Sequence, residues 1–175
     1  MSQIRTNSIV PSGGVPAGAS GGGIIQIVTT TKTDTFSSAT SSSTFIDITG
    51  LSVSITPRST SNKIMIYSTV HITGQNSLDR FGIRLVRNST AIAIADSASN
   101  RIRATASTTN PSNADLQNLN IMYLDSPSTT SATTYKIQCT NESNRNVYIN
   151  RSDGDNDNNT VFRAVSSITA MEVSG

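Results

Sequence analysis

Tryptophan is absent from this sequence, and 175 residues hold one cysteine (Cys139), one histidine (His71), two glutamates and three lysines. Each scarcity excludes something. A single thiol cannot build an internal disulfide framework. Charged residues make up only 14% of the chain, and ten scattered arginines form no basic run longer than two, so the formal charge of +2 is not gathered into a nucleic-acid stripe. The apolar runs are a few residues long, far short of the roughly 20 that cross a bilayer as a helix, and no membrane insertion is expected. The opening MSQIRTNSIVPSGG lacks the apolar core of a signal peptide, which fits assembly in a reducing cytoplasm. Helix-building residues are scarce too. Nineteen isoleucines stand against five Glu and Lys together, and that balance predicts an all-β fold.

Serine, threonine and asparagine are abundant, at 28, 24 and 16 residues. Such a composition alone would suit a disordered chain, but the aliphatic residues recur at strand spacing, which disordered chains lack. The length is that of one domain with an appendage. Residues 1–23 are the appendage: Pro11, Pro16 and a series of glycines punctuate Ile4, Ile9, Val10 and Val15, too few to make a core. Read as an extended N-terminal arm, at about 3.3 Å per residue it reaches roughly 75 Å and can bury those four aliphatics on a neighbour. Residues 24–175 form the second unit.

From Ile24 the period is two. GGGIIQIVTTTK is a first strand. Thr44 to Thr56 reads as strand, kink, strand around Thr49-Gly50, with Ile46, Ile48, Leu51, Val53 and Ile55 on one side. In the longest strand, Lys63 to Thr73, Ile64, Ile66, Val70 and Ile72 share one face, and Met65, Tyr67, Thr69 and His71 the other. That second face is only half polar, so a second layer or another subunit is expected to cover it. FGIRLVR and TAIAIA form a hairpin about Asn88-Ser89 that places Ile92 and Ile94 together. Residues 97–115 read as a long exposed loop. Leu116 to Leu124, TTYKIQCT with Tyr135, Ile137 and Cys139 inward, a short strand at Val147 to Ile149 and a last strand Ser166 to Val173 complete eight to ten strands. Short antiparallel strands with regular turns predict a β-sandwich of the jelly-roll kind.

No chemical motif is sharp. His71 lies mid-strand and reads as a structural histidine, and nothing around it or Cys139 matches a protease signature. Asp79, Asp96, Asp115 and Asp125 could supply the carboxylate pair of a glycosidase, but each sits at a strand end, where Asp makes turns. No catalytic residue is assigned and no enzyme is expected. The run from Asp153 to Asn159 alternates oxygen ligands as a calcium loop does, yet the sixth position is Asn158 instead of Gly, and the twelfth is Ala164 instead of Glu. No metal and no cofactor are therefore assigned. Asn88, Asn141, Asn150 and Asn158 open Asn-x-Ser/Thr sequons, but this composition yields about five by chance, so they carry no information.

The segments GGGIIQIVTTTKTDTF, STFIDITGLSVSITP, SNKIMI, YLDSPSTTSATTYKIQC and SSITAMEV resemble small virion proteins of tailed bacteriophages, notably marine and cyanobacterial ones, across residues 24–173. The opening SQIRTNSIVPSGG is similar to the leaders of phage fibre and decoration proteins. The resemblance implies a knob similar to the trimeric C1q-like or tumour-necrosis-factor-like jelly rolls, although those are richer in aromatics than this chain. It implies a homotrimeric capsid decoration (cement) protein or short head fibre, with partners among the other phage structural proteins and Met65, Tyr67 and His71 at the trimer interface. The competing expectation is a tail-fibre or tail-tip adhesin that binds a host surface polysaccharide. Its ligand residues would be Asn76, Asp79, Arg101, Arg103, Asp153, Asp155 and Asp157, on loops 74–79, 97–115 and 151–160.

Overall fold

The computed structural model describes residues 23–41 and 43–175, so the arm and its Ile4, Ile9, Val10 and Val15 lie outside the described residues. The described residues form eleven strands and no helix: β1 Ile24–Lys32, β2 Phe36–Thr40, β3 Ile46–Ile55, β4 Lys63–Gly74, β5 Arg80–Arg87, β6 Thr90–Ile92, β7 Ala106–Thr109, β8 Gln117–Asp125, β9 Thr133–Asn141, β10 Arg145–Ile149 and β11 Ser166–Val173. All pairs are antiparallel. They make two sheets, one in the order β1-β11-β4-β10-β2 with β8 on the other side of β4, and one in the order β3-β9-β5-β6 with β7 also on β5. The chain crosses between layers from β2 to β3, β3 to β4, β4 to β5, β7 to β8, β8 to β9 and β9 to β10. This is the antiparallel sandwich expected of the alternating pattern.

Burial follows the period. Ile64, Ile66, Val70 and Ile72 of β4 are sealed against Phe81, Ile83 and Leu85 of β5, Tyr135, Ile137 and Cys139 of β9, and Ile48, Leu51, Val53 and Ile55 of β3 in a single core. Fully burying each such side chain contributes about 1.5–3 kcal/mol, which is why the aliphatic face dictates register. The kink at Gly50 is real: its φ is +82°, and the β3–β9 register slips between Asp47 and Ser52, so that Ile48 and Leu51 both turn inward.

The larger sheet forks. β11 pairs with Lys63–Thr69 of β4, and β10 pairs with the same edge of β4 from Ile72 onward. Buried Asn150 fills the fork: its N–H donates to His71 O (2.9 Å), its Nδ2 donates to Lys32 O (2.8 Å) and Asp34 O (3.0 Å), and its Oδ1 accepts from Ser166 Oγ (2.6 Å). Without these bonds the backbone groups where one partner strand leaves would be buried unpaired. Asn150 holds φ +62°, which Asn tolerates better than most residues. Asn141 and Asn150 have no exposed surface, so two of the four sequons are closed to glycosylation.

Two expectations need correction, and the expected eight to ten strands become eleven among the described residues. Residues 97–115 are not all loop, because β7 pairs with Arg80–Ile83 of β5. β2, with only Phe36 and Ala39 as apolar residues, is a strand that the pattern does not reveal. Ile92 and Ile94 do not share a face: φ of +53° at Ala93 ends β6, leaving Ile92 against the core and Ile94 on the outside of the sandwich.

Candidate functional site

The face of β4 carrying Met65, Tyr67, Thr69 and His71 is the outside of the larger sheet; the second layer covers the opposite face. Register then shows what shares that outer surface. Met65 pairs with Met171 of β11 and Leu124 of β8, and Met171 pairs in turn with Ile27 of β1, so four apolar side chains run straight across four strands. In the neighbouring row Tyr67 lies between Met122 and Thr169. A bulge at Ile25 resets the alternation of β1 and brings Ile24, opposite Val173, onto the same face as Ile27.

The exposure of these residues is high for their size: Ile24 55%, Ile27 57%, Tyr67 45%, Met122 76% and Leu124 43%. Together they present on the order of 500 Å² of exposed surface, near the top of the range for the largest apolar patch on a soluble monomer. The other half of the same face is hydroxyl and amide. Thr29 and Thr169 share a hydrogen bond of 3.0 Å, Thr69 Oγ1 donates to Asn120 Oδ1 (2.9 Å), and His71 stands at the far end. The His71 ring is satisfied within its own subunit, with Nδ1 2.9 Å from Val165 O and Nε2 3.3 Å from Asn118 Nδ2. Met65 and Tyr67 therefore belong to the apolar stripe, and His71 to its polar margin.

The residues assigned to ligand loops separate into two groups. Asn113 Nδ2 bridges Gln75 O (3.3 Å) and Asp153 Oδ2 (3.2 Å), so Asn76, Asp79 and Asp153 come to one end of the sandwich. Asp79 is not offered to a ligand there. It is 1% exposed, and its carboxylate accepts from Arg145, from Asn141 Nδ2 and from the N–H of Asn76. Asp155 is held by Arg163 and lies 3.7 Å from Arg151, while Asp157 is exposed. Among the described residues no three His, Cys, Asp or Glu side chains converge as metal ligands. Arg101 and Arg103 are elsewhere, on the outer face of the five-stranded sheet beside Arg84, which sequence reasoning had not singled out.

The geometry also separates the Cys139–His71 pair and the Asp79–Asp125 pair. Cys139 points into the core from β9 whereas His71 projects outward from β4, and burial pushes the thiol up to about 12, far from a thiolate at neutral pH. Asp79 and Asp125 sit at opposite ends of β4, near Gly74 and opposite Ile64; ten residues of strand put about 33 Å between those ends, several times a glycosidase separation. Asp125 is a structural acid: Arg87 Nη1 grips both its oxygens (2.8 and 2.9 Å), and Tyr135 Oη donates to it at 2.6 Å. Burial first, and this hydrogen bond second, raise the Tyr135 phenol above its ordinary range.

No family model and no curated protein matches the chain. Among solved structures it is similar to chains of infectious bursal disease virus particles. The virus-derived T=1 particle matches at 12% identity over 97% of this chain and 42% of that one, with a TM-score of 0.44. The Gt strain matches at 14% over 97% and 44%, TM-score 0.38, and the VP2 subviral particle at 14% over 85% and 39%, TM-score 0.33. The chain spans about two fifths of the length of the viral chains it matches. At that degree of likeness nothing about function passes to this chain.

Proposed function

We propose that the protein is a non-enzymatic virion structural protein of a tailed bacteriophage, a homotrimeric capsid decoration or short head-fibre subunit anchored by residues 1–23. The observation that carries this reading is the uncharged apolar stripe through Ile27, Met171, Met65 and Leu124. A second copy of the chain is its natural cover. An uncharged apolar face of this size is a common mark of an interaction surface, and a stable interface takes about 800 Å² per partner, of which the stripe with Tyr67 supplies the apolar centre and the Thr69, Asn120 and His71 margin the polar rim. Three copies are inferred from the resemblance to trimeric knobs. In this role the arm, with Ile4, Ile9, Val10 and Val15, pins the knob to the shell, and the knob faces solvent.

Two manipulations test the role. Deleting residues 2–22 should abolish binding to capsids while leaving the knob folded, and capsids assembled without the protein should lose resistance to heat and low salt. Equal resistance with and without the protein excludes reinforcement. A second reading, the tail-tip adhesin, is favoured by one feature, the arginine groove described next; label seen on tails instead of heads would select it.

A further inference from the structure

The outer face of the five-stranded sheet carries a groove that the stripe does not explain. After β6 the chain turns left-handed at Ala93 and again at Ser99, both at φ +53°, and folds back along the sheet, tied by Ala95 N–H to Ala104 O (3.3 Å) and Thr105 N–H to Ile83 O (2.9 Å). This fold-back sets Arg101 and Arg103 beside Arg84 around a depression of about 330 Å³ walled by Phe45, Ile94 and Ile102.

Each guanidinium is oriented by a neutral acceptor. Arg84 Nε donates to Gln138 Oε1 (2.7 Å) with its Cζ 4.2 Å from the centre of the Phe45 ring, Arg103 Nε donates to Ala95 O (2.6 Å), and Arg101 Nη1 reaches Ala98 O (3.4 Å). None of the three makes an ion pair among the described residues, although Arg80, Arg87, Arg145, Arg151 and Arg163 all do. Gln138 also donates to Asp47 (2.6 Å), and Lys136 Nζ binds that carboxylate at 2.7 Å, so the acid that acts on Arg84 is shared with two other partners. Three like charges thus face one depression that no carboxylate among the described residues lines, with Asp47 acting on Arg84 from outside it, and an anion entering there is attracted by all three.

A second depression of about 250 Å³ adjoins the first and shares Arg101 and Ile102 with it. Gly82 forms part of its floor. A Cβ there would lie 3.1 Å from Ala104 Cβ and 3.3 Å from Ala106 O, tighter than ordinary contact, so glycine eases the close passage of the fold-back over the sheet. Hydroxyls of Ser107 and Thr140 border this half, and so does Glu142, whose carboxylate is paired with Arg80 at 2.9 Å.

We propose that the groove binds an acidic saccharide, with a sugar carboxylate gripped by Arg84, Arg101 and Arg103, its ring against Ile102, and the adjoining sugar in the half floored by Gly82. Planar guanidinium forks match a carboxylate in two-point geometry, and the aliphatic wall and hydroxyl border suit the two sides of a sugar ring. The inference deepens the polysaccharide-binding reading and is independent of subunit number. Because the groove and the stripe lie on opposite faces of the sandwich, a trimer closed through the stripe leaves the groove open.

The test is calorimetric titration of the full chain with oligogalacturonate, its methyl ester and inorganic phosphate. Binding of the acid form in the millimolar range or tighter, at least tenfold weaker for the ester and for phosphate, and weakened by salt, is the expected result. The double variant Arg101→Gln/Arg103→Gln should lose at least tenfold, while the charge-matched Arg58→Gln/Arg163→Gln keeps wild-type affinity. All four side chains are exposed, so unchanged melting temperatures verify the fold. Equal binding of acid and ester, phosphate binding as tightly as the oligosaccharide, equal loss in both double variants, or no binding of the acid form at 10-millimolar order each overturns the proposal. None of these outcomes bears on the mass of the assembly, which tests the trimer separately.

Discussion

The outward positions of β1, β11, β4 and β8 carry one charge, Lys63, whereas those of β3, β9 and β5 carry Asp47, Lys136, Arg84 and Arg80. Both surfaces arise from the same alternation, and both back onto one core. What differs is the solvent-side residue at every second position: threonine, methionine and isoleucine on one sheet, and an ionic and amide lattice on the other. A sheet facing water gains little from rows of methionine; on the proposed assembly the uncharged surface is the one that water leaves, and the charged surface the one that stays wet.

The most drastic way to break this contrast is to charge the uncharged face. Tyr67→Glu/Met122→Glu should abolish self-association altogether. It should leave the monomer folded, because both side chains are exposed and surface substitutions of this kind usually shift stability by no more than about 0.5 kcal/mol. Circular dichroism and sedimentation together check both halves of that statement.

Next in size are changes to the polar groups sealed between the two faces. Asp125→Ala strips the partner from Arg87 and Tyr135 and should cost about 4 kcal/mol, the range for breaking a buried ion pair, whereas Tyr135→Phe removes one hydrogen bond and should cost about 1 kcal/mol plus the desolvation left on Asp125. Asn150→Ala unpairs Lys32 O, Asp34 O and Ser166 at the fork and forces alanine to φ +62°, for a loss of about 3 kcal/mol. Urea midpoints measure all three, and equal losses for Asp125→Ala and Tyr135→Phe would break the assignment of Asp125 as the hub.

Acid should reveal Glu172. Burial on its own would raise the pKa of this carboxylate, but donors from Asn62, Gln26 and the Arg58 N–H outweigh it and hold it below the ordinary 4.5. A proton therefore binds the unfolded chain more tightly, so the contribution is fully present above about pH 5 and is lost as pH falls below 4.5 through the folded value. The Glu172 contribution should be level from pH 7 to 5 and decline below, and Glu172→Gln should flatten that part of the acid loss of stability. The smallest effect belongs to the wet face: Lys136→Ala opposite half-exposed Asp47 should cost no more than about 0.5 kcal/mol and shrink further in salt.

The strands most legible in the sequence are those whose aliphatics alternate unaided, such as Ile64, Ile66, Val70 and Ile72 of β4 or Tyr135, Ile137 and Cys139 of β9. β2 and β7, FSSAT and ASTT, carry no such pattern; pairing with β10 and β5 makes them strands, and that is long-range information. The stripe was half readable. Met65 and Tyr67 stand on one strand and declare themselves by period, but Ile27, Met171, Met122 and Leu124 come from three other strands, and only register aligns them. His71 shares their period without sharing their character, since its ring is spent on Val165 and Asn118. The arginine groove was less readable still. Arg101 and Arg103 are noticeable in a loop, but Arg84 joins them only through the left-handed turns at Ala93 and Ser99, which no residue type there announces.

Light scattering on the full chain between 0.1 and 10 micromolar tests the central claim most directly. A mass near three times the 18.5 kDa chain, falling to one chain mass in Tyr67→Glu/Met122→Glu, is the result this account predicts. A mass of one chain at every concentration, with a melting temperature that ignores dilution, contradicts it.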